Sequence, residues 1–243
     1  HAPTLLLLHP LGANREVWTP QLPTFEQFFH VVRPDLRGHG ESSLPEGEPS
    51  VRTLGDYVDD MLAILDQLHI DRAHWCGLSL GGAIALQAAI RHPKRVHRLV
   101  LANTAPEFAP SSLWDERMSA ARSDGLASVL AAVPQRWFSA GFRDRAPEQI
   151  ERIRSMLDTA SLRGYLEACG ALRAVNLRGE LAAVQAPTLV IGGAGDISTP
   201  IELAEALRDG IAGADLAVLD AAHLSNVEQS EDFTEVVTAF LRD

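Results

Sequence analysis

The chain has only two cysteines, Cys76 and Cys169, in 243 residues. Two are too few for a disulfide framework, and no CxxC pair has the spacing of a metal site, so a cytoplasmic setting is the expectation. No apolar run approaches the ~20 residues needed to cross a bilayer. No signal-peptide pattern opens the chain, and no membrane partner is expected. Basic residues are also in short supply: 21 Lys and Arg stand against 32 Asp and Glu, a net charge of −11. That balance argues against nucleic acid as a partner and leaves any recognition of an anion to local arginines. There is no HExxH, no pair of histidines at ligand spacing and no carboxylate cluster, so neither a metal nor another cofactor is expected. Internal repeats and low-complexity tracts are missing too. Nothing in the sequence sets the oligomeric state.

What is present is a core-forming chain, 46% hydrophobic, of a length that suits one domain with an insertion. Short apolar runs at 4–8, 29–33, 73–77 and 96–102 read as strands. Between them, residues 53–69 and 80–91 carry apolar side chains at helical spacing. Thr53 is placed as an N-cap, with Asp56 in the capping-box position where Glu is usual. This alternation predicts an α/β fold, with a mostly parallel sheet flanked by helices. From 106 to 183 the strand-like runs stop. Helical stretches at 111–122, 125–133, 147–157 and 161–174, broken by prolines, predict an inserted helical cap. The α/β rhythm returns with strands at 188–192 and 215–219 and helices at 200–209 and 230–241. The expected organisation is a core over 1–105, a cap over 106–183 and the rest of the core over 184–243. The first strand lies within a few residues of the first residue. A sheet of this type usually has earlier strands, so either the natural chain is longer or the sheet is shortened at one edge.

The strongest local signal is Gly77-Leu78-Ser79-Leu80-Gly81, a G-x-S-x-G run with a strand before it and an apolar helix after it. In α/β-hydrolases this strand–turn–helix is the nucleophile elbow. The serine sits in a sharp turn, and the flanking glycines let strand and helix approach closely. Ser79 is the candidate nucleophile. The Leu80 N–H, at the helix start, has no intrahelical partner and can donate to developing negative charge. A second donor is expected from the loop after the early strand. Leu11 is the candidate there, because Pro10 has no N–H and Gly12 lets the chain turn away.

A serine hydroxyl needs a base, and the base needs an orienting acid; in this fold they follow in the order Ser, Asp or Glu, His. His223 is the last histidine and follows the strand at 215–219. Asp196 follows the strand at 188–192 in the run Gly192-Gly193-Ala194-Gly195-Asp196, whose glycines let the backbone bend. Asp220 is the rival acid, or a turn cap. His69, His92 and His97 read as surface or interior groups, and His9 and His39 stand too early in the chain for the base. Cys76 reads as a buried strand residue.

Three segments, DLRGHGES at 35–42, GLSLGG at 77–82 and AAHLSNVEQ at 221–229, resemble the α/β-hydrolases, with the 3-oxoadipate enol-lactonases of aromatic-acid breakdown as the nearest family. Arg136-Trp137-Phe138-Ser139-Ala140-Gly141-Phe142 resembles that family's RWF–GF segment in the cap, and Asn103-Thr104-Ala105 is also similar. The resemblance spans nearly all of the chain. It implies an α/β-hydrolase fold with a Ser79–Asp196–His223 triad and oxyanion donors at Leu11 and Leu80. It also implies a small carboxylate-bearing enol-lactone as substrate. The family often reads Asn-Ser-Leu-Gly where this chain has His9-Pro10-Leu11-Gly12. Arg136 is the candidate for the substrate carboxylate, unless it is a solvated cap residue. Trp137 is a candidate apolar wall; Trp18 is another, or simple loop packing.

The expected reaction is acyl transfer to Ser79 followed by hydrolysis. A carboxylesterase, a thioesterase or a cofactor-free perhydrolase would use the same atoms on another small ester or lactone. A haloalkane dehalogenase or epoxide hydrolase would need an aspartate at position 79. A binding module built on this scaffold would typically lack a triad member.

Overall fold

The computed structural model describes residues 2–44, 46–47, 51–108 and 110–243. Strand β1 (Thr4–Leu8) is followed by a 3-10 turn over Arg15–Gln21, α1 (Leu22–Phe28), β2 (His30–Val32), α2 (Leu54–Gln67), β3 (Ala73–Leu78), α3 (Leu80–Arg91) and β4 (Val96–Ala102). Six helices come next: α4 (Ser111–Ser123), α5 (Leu126–Leu130), α6 (Val133–Trp137), α7 (Ala140–Arg145), α8 (Pro147–Leu157) and α9 (Leu162–Ala174). The chain then runs through β5 (Thr188–Gly193), α10 (Ile201–Gly210), β6 (Asp215–Leu219), α11 (Ser225–Glu228) and α12 (Ser230–Arg242). This is the α/β-hydrolase architecture with an inserted helical cap.

The strands form one sheet in the order β2-β1-β3-β4-β5-β6, and every neighbouring pair is parallel. The inner strands β1, β3 and β5 are buried at every residue, whereas β2 and β6 at the edges are partly exposed. This explains the unbroken TLLLL run. A strand covered on both faces has no polar side to alternate with. Leu5, Leu6, Leu7 and Leu8 are all at 0% exposure, and truncating such a leucine to alanine typically costs about 2–5 kcal/mol.

Each run expected to be a strand is one, within a residue or two of its predicted ends. The capping box of α2 also forms with aspartate in place of glutamate: the Asp56 carboxylate accepts from the Thr53 N–H at 2.8 Å and from its hydroxyl at 2.9 Å. Sequence periodicity missed the 3-10 turn and α1. Pro20 and Pro23 look like breakers there, yet Pro23 falls in the first turn of α1, where its missing N–H costs nothing. It also missed α6 and α7, which are too short to show a period.

The strand order reverses between β1 and β3. In open parallel sheets the loops at the carboxyl ends of the strands on either side of such a point diverge and leave a crevice. Here those loops are His9–Gly12 and the turn at Ser79. The cap is fastened over this end. The carbonyl of Gly38 accepts from the Ser161 N–H at 2.9 Å and from its hydroxyl at 3.1 Å. A side chain on Gly164 would meet the Gly38 α-carbon at 2.6 Å, so the two backbones are in direct contact. Among the described residues, no helix is long and apolar enough to cross a membrane.

Candidate active site

Ser79 has φ 55° and ψ −114°, a left-handed backbone that costs a non-glycine residue roughly 1–3 kcal/mol. The neighbours hold it there. Its N–H donates to the Ala102 carbonyl at 3.0 Å, and its own carbonyl accepts from the Ala83 N–H at 3.0 Å and the Thr104 hydroxyl at 2.7 Å. The elbow closes only because of its glycines. A β-carbon on Gly77 would lie 2.1 Å from the Gly81 carbonyl oxygen, and one on Gly81 would lie 2.2 Å from that of Leu8.

Beneath the cap lies a cavity of about 300 Å³ whose wall includes Leu11, Ser79, Arg136, Trp137 and His223. Leu11 follows β1 directly. Leu80 is the first residue of α3, where its N–H has no carbonyl one turn earlier to donate to. Leu11 therefore borders the cavity with Ser79, and Leu80 directly follows Ser79 in the chain.

His223 and Asp196 meet as the chain order predicts. His223 Nδ1 lies 2.8 Å from Asp196 Oδ2, and both residues are buried. The same oxygen accepts from the Thr199 hydroxyl at 2.7 Å and from Asn103 Nδ2 at 3.0 Å. The other oxygen accepts the N–H groups of Ser198 at 2.8 Å and Thr199 at 3.0 Å. Burial alone would raise the Asp196 carboxyl pKa. The charge and hydrogen bond of His223, with the bonds from Thr199, outweigh it and bring the value down to about 2. The rival Asp220 is exposed, and its backbone carbonyl accepts from Gln229.

The other candidates are Trp137, Arg136 and Trp18. Trp137 lies tilted against the His223 ring at a centroid distance of 6.2 Å. Arg136 is half-buried with no hydrogen-bonding or ionic partner among the described residues. Burial, followed by the charge of Arg117, lowers its pKa. Trp18 is elsewhere: it is fully buried and packs on Phe233 at 6.0 Å, outside the cavity wall. Its bland alternative, loop packing, is the one the structure has, because the 3-10 turn directs its side chain into the core.

Sequence reasoning missed several residues at the site. Asn103, at φ 44°, joins three loops. Its amide nitrogen donates to Asp196 and, at 3.2 Å, to the Ala222 carbonyl; its amide oxygen accepts from the Ser225 hydroxyl at 2.5 Å. Ser225 is fully buried and committed to that bond, whereas Ser79 lines the cavity with His223. Arg117 and Tyr165 also line the cavity; at the sequence level they look like ordinary cap residues. Thr199 was hidden because only the turn after β5 brings it onto the carboxylate.

Glu228 is a further omission. Its buried carboxylate accepts from the Ala222 N–H at 3.1 Å, in the histidine loop, and from the Ser139 N–H at 3.2 Å, in the cap; the Ser139 hydroxyl donates to it as well. Alongside, the Leu224 N–H donates to the Trp137 carbonyl at 3.0 Å. Glu228→Ala would leave three donors unpaired. We expect it to lower the unfolding free energy by about 2–4 kcal/mol, read by urea denaturation, and to reduce kcat. A variant as stable and as active as wild type would show that this bridge contributes nothing.

Residues 3–230 match the family described as alpha/beta hydrolase fold. The chain is 35% identical to 3-oxoadipate enol-lactonase 2 of Acinetobacter baylyi over 240 residues, 99% of this chain and 89% of that protein. The crystal structure of the enol-lactonase from Burkholderia xenovorans superposes with a TM-score of 0.96 at 36% identity, covering 100% of this chain and 92% of that one. The malate-bound structure of a thermophilic esterase from Thermogutta terrifontis gives 0.91 at 29% identity, covering 99% and 91%. The chain therefore belongs to the α/β-hydrolase family, as a hydrolase of its enol-lactonase and carboxylesterase branch that is closely related to the 3-oxoadipate enol-lactonases.

Proposed function

We propose that this chain opens a small carboxylate-bearing lactone, of the 3-oxoadipate enol-lactone type, through an acyl-enzyme on Ser79. Residues 106–183 serve as the cap over a core made of 1–105 and 184–243. The reading is carried by one observation: Ser79, His223 and the unpaired guanidinium of Arg136 border a single cavity of about 300 Å³. A cation held half-buried without a protein partner is costly, and an anionic ligand would relieve that cost.

His223 removes the Ser79 proton as Oγ attacks the ring carbonyl. The N–H groups of Leu11 and Leu80 stabilise the oxyanion; one such donor is typically worth roughly 3 kcal/mol. The carbonyl–ring oxygen bond breaks and the enolate leaves, needing less proton assistance than an alkoxide; it then takes the imidazolium proton, which returns His223 to its neutral form. Water then attacks the acyl-enzyme with His223 as base, freeing the acid and restoring Ser79. Asp196 keeps the imidazole proton on Nδ1 and stabilises the imidazolium.

Arg136→Ala tests the substrate class. We expect kcat/KM for a lactone bearing a carboxylate to fall about 10–100-fold, the loss of one charge-assisted contact. A neutral lactone of the same ring size should change less than 3-fold, a loss of about 0.6 kcal/mol. Equal weakening of both would remove Arg136 from carboxylate recognition. The second reading is a carboxylesterase acting on simple acyl esters. It draws support from the apolar rim of the cavity, where Leu113 and Ile197 are 56% and 69% exposed.

A further inference from the structure

His9 stands immediately before the oxyanion loop, in a place where it cannot act as a base, and both ring nitrogens are occupied. Nε2 lies 2.9 Å from the Leu36 backbone nitrogen, and Nδ1 lies 2.9 Å from the Pro10 carbonyl oxygen. A backbone N–H is only a donor, so Nε2 must accept and the ring proton must sit on Nδ1. Nδ1–H therefore donates to Pro10. The carbonyl of Pro10 and the N–H of Leu11 belong to the same peptide group. In a planar trans peptide the two point in opposite directions. Holding the carbonyl toward the buried imidazole turns the Leu11 N–H the other way.

We propose that His9 is a positioning residue for the oxyanion hole: its Nδ1–H clamps the Pro10–Leu11 peptide so that the Leu11 N–H faces the reacting carbonyl. The inference rests on Leu11 serving as an oxyanion donor, as put forward above. The setting suits a fixed clamp. His9 is fully buried, with His39 against it at a ring-centroid distance of 5.4 Å. Burial, followed by the proximity of His39, lowers its pKa to about 3, so one neutral tautomer persists across the working pH range. The adjoining proline restricts the backbone; the Ala13 N–H also donates to the Pro10 carbonyl at 3.2 Å, and the shorter bond from His9 adds a second hold on the same peptide plane. Preorganisation of this kind acts on the transition state and leaves ground-state binding largely alone.

Two substitutions separate the two nitrogens. His9→Asn places an amide donor where Nδ1 stands and gives up the contact with Leu36. His9→Gln places an amide oxygen near Nε2, keeps the contact with Leu36 and gives up the donor to Pro10. The expected result is kcat within 3-fold of wild type for His9→Asn, and a 10–100-fold loss of kcat at nearly constant KM for His9→Gln. Affinity for a boronic acid that mimics the tetrahedral intermediate should fall in step with kcat. Wild-type kcat and boronate affinity in a folded His9→Gln would overturn the proposal. So would a His9→Asn variant with a wild-type melting temperature and a 10-fold or greater loss of kcat; that outcome decides the matter even if His9→Gln does not fold. Labelling of the wild type by a fluorophosphonate at Ser79 checks the parent reading separately. Absence of labelling there sinks both, whereas normal labelling with an unaffected His9→Gln sinks only this one.

Discussion

Ser79→Ala is expected to lower kcat by about 10⁴-fold or more and to abolish covalent labelling by a fluorophosphonate, with little change in stability. The size follows from the chemistry. Without the hydroxyl no acyl-enzyme forms, and only the oxyanion donors and substrate positioning remain to assist water. Ser225 is the control, since it lies two residues from the histidine and its hydroxyl is buried. That hydroxyl donates to Asn103 Oδ1, and Ser225→Ala removes one hydrogen bond worth about 1 kcal/mol. A loss below 10-fold is expected for it. Equal loss in the two variants, or persistent labelling of Ser79→Ala, would show that the nucleophile is misassigned.

Asp196→Asn is expected to lower kcat by roughly 10⁴-fold with the fold intact. Oδ1 accepts two backbone N–H groups, so the asparagine oxygen will settle there. The new NH₂ then occupies the Oδ2 position and faces three donors: the His223 Nδ1–H, the Thr199 hydroxyl and Asn103 Nδ2. The imidazole can escape this conflict by moving its proton to Nε2, which makes it useless as a base toward Ser79. Steady-state kinetics read the loss; a variant within 10-fold of wild type would remove Asp196 from the orienting role. In the wild type the Asp196 carboxyl titrates at about 2, below its usual value of 3.8. Its contribution to stability is therefore fully present above about pH 4 and is lost as the pH falls through about 2.

Much of this was legible in the chain because it rests on local rules. The TLLLL run could only be a strand covered on both faces. The glycines around Ser79 announced a crossing of strand and helix too close for a β-carbon. Asp196 and His223 were legible because each follows a parallel strand at the end where loops converge. The omissions have a common cause. Asn103 and Glu228 act through bonds between loops distant in sequence, and Thr199 through a turn whose shape the residue types alone do not set; no spacing rule reports either. Asn103 carried one faint sign, being an asparagine at a strand end, where the left-handed backbone suits that residue type. Trp18 was offered as a wall residue on proximity in sequence, and a 3-10 turn that periodicity cannot detect sent it into the core.

The bond from Leu224 to the Trp137 carbonyl, and the carboxylate of Glu228 shared between Ala222 and Ser139, have a consequence for attempts to exchange specificity between relatives. A foreign roof grafted onto this scaffold would arrive without the partners that seat the imidazole. The segment around Trp137–Ser139 and the segment 221–229 form one transplantable module, and a chimera that moves the first without the second inherits a new pocket with a displaced base.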